Sequence, residues 1–216
     1  MKIYYSNTSP YSRKVRMVVL EKGLENQVES ILINPFAEDK SNLTAANPLG
    51  KIPVLILEDE SALFDSPVIC HYLDSLNNEP QLIPANEDKK WKVLRWEALC
   101  DGMTDAMYNL VMERKRPENK QSTSSIANWS GEIIRTLEAL ETSFHELDIF
   151  SLNNKGEELT LAHLALASAI GYLDFRLPTI LYSSECPQVA ACPKVLTWYE
   201  SFKTRPAMQE TRPYDA

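Results

Sequence analysis

The spacing of hydrophobic and polar residues changes its period about a third of the way along the chain. Up to residue 76, short alternating or apolar runs are separated by turn-forming residues. Lys2–Tyr5 reads as a strand, and Pro10–Lys22 as a helix closed by the C-cap glycine Gly23. Gln27–Ile33 alternates polar and apolar residues and predicts a second strand. Glu38–Ala46 is a short helix candidate. "NPLGKIPVLIL" supplies a turn and a third strand, Val54–Leu57. "EDES" reads as a tight hairpin-type turn, followed by a fourth strand at Ala62–Phe64. Asp65-Ser66-Pro67 places a capping side chain and a first-turn proline ahead of a helix running to about Leu76. This order predicts a mixed four-stranded sheet with helices packed on it, an α/β unit.

"NNEPQLIPANED", residues 77–88, is loop-like and joins that unit to a region with no strand signal. Lys89–Arg116 is a long helical pattern with Trp91, Leu94, Leu99, Met103, Met107 and Val111 as apolar positions. Ser124–Phe150 is a second, Thr160–Leu181 a third and Pro193–Thr204 a fourth. Thr160–Leu181 is apolar nearly all round, which predicts the centre of an all-α unit. It opens with Thr160 as N-cap and Leu159 and Leu164 at staple spacing. An acid usually stands three residues after such a cap. His163 stands there instead, so the capping contact is not expected, and His163 reads as a capping or packing variant. The predicted division is an α/β domain at 1–77, a linker at 78–88 and an all-helical domain at 89–216.

Composition narrows the function. The 216 residues carry a net charge of −8, and an acidic surface repels phosphate backbones, so no nucleic-acid partner is expected. No apolar run approaches the roughly 20 residues of a membrane span. No leader-like series opens the sequence, and a cytoplasmic location is expected. The cysteines Cys70, Cys100, Cys186 and Cys192 form no C-x-x-C pair, and their spacing suits neither a zinc site nor a disulfide scaffold. Cys70 and Cys100 read as buried small hydrophobes. A Cys186–Cys192 bond is disfavoured in a reducing compartment. His71 and His145 read as surface or interface residues. No histidine pair has metal-ligand spacing, and no Ser-His-Asp set can be assembled.

The chemistry-bearing stretch is "SPYS", Ser9–Ser12, at the first strand-to-helix turn. Thiol–disulfide enzymes place C-P-Y-C at such a turn, where the helix N-terminus lowers a thiol pKa from about 8.5 to about 3.5–7.5. With serine at both cysteine positions, the turn can instead hold a thiolate brought by a substrate, with Ser9 Oγ–H donating to the sulfur. Three hydroxyls compete for that role. Ser9 takes the exposed position of the pair, Ser12 the more buried one, and Tyr5 ends the first strand. Ser9 as a plain N-cap is the simpler alternative. Further on, Asp65 and Ser66 begin a helix, so Ser66 can bind a carboxylate at the positive end of the dipole while Asp65 pairs with an ammonium. Lys51 could pair with a second carboxylate or remain a solvated turn lysine.

Three stretches, in this order and ahead of an all-helical region, resemble the cytosolic glutathione S-transferases. They are the Ser9 turn, "NPLGKIPVL" and "FDSPVICHYL". "DGMTDAM" and "RKRPENKQS" resemble one bacterial group of that family with a serine-type active site. The resemblance covers essentially the whole chain. It implies a thioredoxin-like N-terminal domain and a cis Pro53, with glutathione as co-substrate pairing along Ile52 and bound by Lys51, Ile52, Pro53, Asp65 and Ser66. It implies that Ser9 activates the thiol for attack on an electrophilic small molecule, as in detoxification, with no metal and in a homodimer. The second substrate would lie against the long helix after the linker, where Tyr108, Met112 and Trp91 are candidates. Arg114 and Arg116 could draw an anion or simply be solvated. Two other readings stay open, a non-enzymatic binding or regulatory relative and a glutathione-dependent isomerase or peroxidase. A disulfide oxidoreductase is disfavoured by the missing turn cysteine.

Overall fold

The computed structural model describes residues 1–77, 79–144, 159–182 and 192–215. The N-terminal half runs β1 (Lys2–Tyr5), α1 (Pro10–Glu21), β2 (Glu29–Leu32), α2 (Ser41–Ala46), β3 (Val54–Ile56), β4 (Ala62–Leu63) and α3 (Ser66–Ser75). The strands form one sheet in the order β2-β1-β3-β4. β1 pairs parallel with β2 and antiparallel with β3, and β3 pairs antiparallel with β4. The sheet is therefore mixed, as in the predicted α/β architecture. Ile3, Val54 and Leu55 are fully buried, and α1 and α3 contribute Val15, Val18, Ile69 and Leu73 to the same core.

α1 ends where the glycine predicts. Gly23 adopts φ 63°, the Gly23 N–H donates to Leu20 O at 3.1 Å, and the Leu24 N–H donates to Val19 O at 2.9 Å. These two bonds satisfy the last carbonyls of the helix, and Leu24 and Val19 are both buried.

The C-terminal half is helical: α4 (Glu87–Arg114), a 3-10 turn at Glu118–Lys120, α5 (Thr123–Ser143), α6 (Leu161–Arg176), α7 (Pro178–Tyr182), α8 (Pro193–Phe202) and α9 (Pro206–Glu210). Every residue of α6 from Leu161 to Leu173 is buried, in keeping with its apolar pattern. It packs against α4 and against α1, so it belongs to both halves of the molecule.

Several boundaries differ from the sequence expectation. The helix expected over Thr160–Leu181 stops at Arg176 and restarts at Pro178, because proline has no N–H to continue the ladder. The helix expected from Glu38 begins at Ser41, and the strand expected over Gln27–Ile33 is four residues long. The second helical pattern, expected to reach Phe150, forms Thr123–Ser143; residues 145–150 lie outside the described residues, as do His145 and Cys186. The capping contact thought lost at His163 is kept. Thr160 N–H donates to His163 Nδ1 at 2.9 Å, so the imidazole nitrogen takes the acceptor role of the usual acid.

Two buried lysines are fully paired, Lys22 within the N-terminal half and the segment after it, and Lys14 across the two halves. Lys22 Nζ donates to Asp74 Oδ1, Asp74 O, Asn77 O and Pro80 O at 2.7–3.0 Å. Asp74 also accepts from the N–H groups of Leu82 and Ile83, so one ion pair fixes the segment from α3 towards α4. Lys14 on α1 is 1% exposed and donates to Glu97 Oε1 at 2.9 Å and Asp101 Oδ2 at 2.6 Å on α4. Burial alone would lower this ammonium, but the Asp101 and Glu97 carboxylates reverse that and hold it above its ordinary value. His71 Nε2 lies 3.0 Å from the other Glu97 oxygen. Cys70 and Cys100 are buried as expected, and burial raises both thiols, so neither is a reactive thiolate.

Candidate active site

The sheet register carries the three sequence motifs to one edge. Tyr4 is opposite Val54, and Leu55 is opposite Leu63. Because β1, β3 and β4 alternate in direction, the loop after β1, the loop before β3 and the loop after β4 leave the sheet at the same end. Those loops hold Ser9, Lys51-Ile52-Pro53 and Asp65-Ser66.

Ser9 is the N-cap of α1. Its Oγ accepts from the Ser12 N–H at 3.2 Å, with Pro10 as the first helical residue. Capping uses an oxygen lone pair, so the hydroxyl proton stays available to a ligand. Both readings of Ser9, cap and donor, are thus compatible. The two rival hydroxyls are placed differently. Ser12 is 0% exposed and points into the protein. Tyr5 ends β1 with the Arg16 guanidinium 4.4 Å above its ring.

The Ile52–Pro53 bond is cis, as the motif implies. Pro53 is buried, Ile52 half-buried and Lys51 exposed. Asn47 Nδ2 donates to Lys51 O at 2.9 Å and holds this loop. Asp65 occupies the N-cap position of α3 but makes no side-chain capping bond, and it is exposed. Its carboxylate is therefore not used up by the helix, whereas the cap role of Ser9 is filled. Ser66, at the first helical position, is 2% exposed.

The turn around Ser9 is tethered to the helical half residue by residue. Ser168 Oγ–H on α6 donates to Pro10 O at 2.6 Å, and Tyr11 Oη–H donates to Asp105 Oδ1 on α4. Arg13, only 6% exposed, donates to Met208 O at 3.1 Å and to Thr211 Oγ1 at 3.4 Å. Arg13 also explains a glycine. A Cβ on Gly171 would lie 2.2 Å from Arg13 Nη1, so any larger residue there would push the guanidinium out of place. Thr8, Arg13, Ser168 and Tyr172 of α6 and Pro213 of the C-terminal segment crowd around Ser9, leaving no room for a water molecule between them.

Known proteins match the chain over nearly its full length. The family model for the glutathione S-transferase N-terminal domain matches residues 8–76. YibF of Escherichia coli (strain K12), named an uncharacterized GST-like protein, is 34% identical over 207 residues, covering 95% of this chain and 98% of that one. The chain belongs to the glutathione S-transferase family. A crystal structure of a glutathione S-transferase from Methylobacillus flagellatus KT with glutathione bound superposes with a TM-score of 0.83 at 36% identity, covering 99% of each chain. The stringent starvation protein A homolog of Haemophilus ducreyi is also related, 30% identical over 156 residues, or 70% of this chain and 69% of that one.

Within this family member, the second-substrate candidates separate. Tyr108 on α4 lies near enough to Tyr172 of α6 to help raise its phenol. Met112 is one turn further along the same helix. Trp91 does not reach Tyr172. It is 61% exposed, donates from Nε1 to Glu87 Oε2 at 3.0 Å, and sits 17 residues before Tyr108, about 26 Å along the helix axis. Arg116 is engaged by both Glu113 oxygens at 2.9 and 3.0 Å, and Arg114 is exposed. The sequence reading missed Tyr11, Asp105, Arg13 and Ser168. Tyr11 was visible as part of "SPYS", but its partner lies 94 residues away. Among the described residues, no group of three or more His, Cys, Asp or Glu residues is placed to hold a metal ion. Among them, too, no helix is long and apolar enough to cross a membrane.

Proposed function

We propose that this chain is a glutathione transferase in which Ser9 activates the glutathione thiol for attack on an electrophilic small molecule. The observation that carries the reading is Ser9 itself, which caps α1 with its oxygen, leaves its hydroxyl proton unused by the helix and is only half-buried. The helix N-terminus favours a thiolate, and the Ser9 O–H supplies a charge-assisted hydrogen bond of about 1.5–3 kcal/mol. Lowering a thiol pKa by about two units corresponds to about 2.7 kcal/mol, so the bond is of the required size. Glutathione lies extended along Ile52-Pro53, its γ-glutamyl ammonium meets the uncommitted Asp65 carboxylate, its γ-glutamyl carboxylate meets Ser66 at the start of α3, and its glycyl carboxylate meets Lys51. The thiolate then displaces a leaving group or adds to an electrophilic carbon, forming a carbon–sulfur bond with the electron pair of the sulfur.

We further propose that residues 1–77 and 89–216 act as the glutathione-binding and electrophile-binding domains of a cytoplasmic homodimer. The exposed apolar side chains of Val68 on α3, Leu76 just after α3 and Trp91 on α4 support a dimer face, which sedimentation would test. A second reading has one specific support, the relative named for stringent starvation rather than for transfer. It is a chain that uses the same fold to bind without turnover. Mixing the protein with glutathione and a panel of aryl halides, epoxides and enones, and following thiol loss, separates the two. Transferase activity that drops in Ser9→Ala supports the first reading. Glutathione binding with no thiol loss across the panel overturns it in favour of the second.

A further inference from the structure

We propose that Ser168 of α6 is a positioning residue for the thiolate site, acting through the Pro10–Tyr11 peptide to strengthen the Tyr11 N–H as a second donor to the glutathione sulfur beside Ser9. The inference rests on the transferase reading above and assigns part of the thiol activation to the helical half of the molecule.

α6 is apolar on nearly every face, and a hydroxyl buried in such a helix costs stability unless it finds a partner. Ser168 is 4% exposed. A helical serine commonly returns its proton to the carbonyl four residues back in its own helix. Ser168 instead donates across to α1, 158 residues away in sequence, with its Oγ 2.6 Å from Pro10 O. The carbonyl it takes belongs to the residue directly after Ser9.

That carbonyl and the Tyr11 N–H are the two ends of one planar peptide group. The Tyr11 N–H is the donor left open at the start of α1. Pro10 has no N–H. The Ser12 N–H goes to Ser9 Oγ at 3.2 Å, and the Arg13 N–H goes to Ser9 O at 3.0 Å. No acceptor for the Tyr11 N–H stands among the described residues. First-turn N–H groups point out of the helix end, towards the sulfur of the proposed complex. A hydrogen bond received at the C=O end of a peptide polarises its N–H end, strengthening the next bond by roughly 10–30%. Ser168 thereby adds to the acidity of a thiol that it does not touch. The bond is also hard to replace. Thr8, Ser9, Pro10, Ser168 and Tyr172 meet with no room for a water, and a lost hydroxyl opens less space than a water molecule fills. Without Ser168 Oγ, Pro10 O keeps its bond within α1 alone.

Two measurements on Ser168→Ala test this. The first is the amide spectrum of the isotope-labelled protein without glutathione. The Tyr11 amide signal should move upfield, because the amide nitrogen reports hydrogen bonding at the carbonyl of its own peptide. The second is the pH titration of the ultraviolet thiolate absorbance in the glutathione complex. Its midpoint should rise by about 0.2–0.6 pH unit, roughly 10–30% of the two units that a full charge-assisted bond spans. The rise should persist in the Ser9→Ala background, since the path runs through the Tyr11 N–H and not through Ser9. Ile133→Val, in the buried face of α5, is the packing control and should move neither signal. A Tyr11 signal that stays in place overturns the proposal. So does a midpoint shift that Ile133→Val reproduces, or one that vanishes in the Ser9→Ala background. If Ser168→Ala does not fold, Ser168→Cys decides, being close in size and a weaker donor, with the same directions expected. If the wild type binds glutathione and ionises its thiol while the Ser168 variant titrates identically, only this inference falls. If the wild-type complex forms no thiolate below the ordinary thiol range, the transferase reading falls and this inference with it.

Discussion

Lys14 and Lys51 are both lysines of the sheet half, and they do opposite work. Lys14 is 1% exposed and spans from α1 to two carboxylates of α4. Lys51 is exposed in the loop before β3, where its backbone oxygen accepts from Asn47 Nδ2. The aspartates show the same contrast. Asp74 is saturated by Lys22 and two N–H groups, whereas Asp65 stands at a helix start without making its capping bond. Charges that hold the halves together are buried and fully partnered. Charges at the sheet edge are exposed and uncommitted, which is what a site for a zwitterionic peptide requires. A buried ion is costly unless paired, so partnered and free charges separate by depth.

The contrast can be broken from the buried side first. Lys14→Met leaves Glu97 and Asp101 with only the His71 imidazole beside them, and should destabilise the fold by about 3–5 kcal/mol. Chemical denaturation measures this, and a loss below about 1 kcal/mol would mean that the cluster is not structural. Gly171→Ala comes next. The added Cβ collides with the Arg13 guanidinium, which is fixed at its far end by Met208 O and Thr211. Repacking around such an overfilled site should cost about 1–3 kcal/mol in a thermal melt.

On the open side the effects move from stability to affinity. Asp65→Ala should weaken glutathione binding by about 1 kcal/mol in calorimetry, through loss of an exposed ion pair, with the melting curve unchanged. Lys51→Ala should cost no more than that, at most about 1 kcal/mol, because its ion pair is screened by solvent too. A melting loss in either variant, with affinity intact, would reverse the assignment of these residues.

The same division explains what the sequence could show. The turn glycine Gly23, the apolar run of α6 and the motifs around Ser9, Pro53 and Asp65 are local patterns, each contained in fewer than about twenty residues. They placed the sheet and the central helix, and they supply the residues proposed to meet glutathione. Tyr11–Asp105, Lys14–Asp101 and Arg13–Met208 join residues 87 to 195 positions apart. Each member reads alone as an ordinary helical polar residue, because periodicity tells which face is apolar and not which polar groups will meet. Two traces were visible. Arg13 and Lys14 interrupt the apolar face of α1, and Gly171 interrupts an otherwise side-chain-filled helix. Both mark the same contact between halves. The restart at Pro178 was legible too, since proline inside a helical pattern breaks it.

The central claim is that Ser9 uses its proton to hold the glutathione thiolate. The most direct measurement is a pH titration of the ultraviolet thiolate absorbance of the glutathione complex, in wild type and in Ser9→Ala. Ser9→Ala should still bind glutathione, and its thiolate signal should appear at a pH higher by about one to two units, as expected for loss of a bond worth about 1.5–3 kcal/mol. An identical titration in wild type and Ser9→Ala, with Tyr5→Phe shifting it instead, would contradict the account.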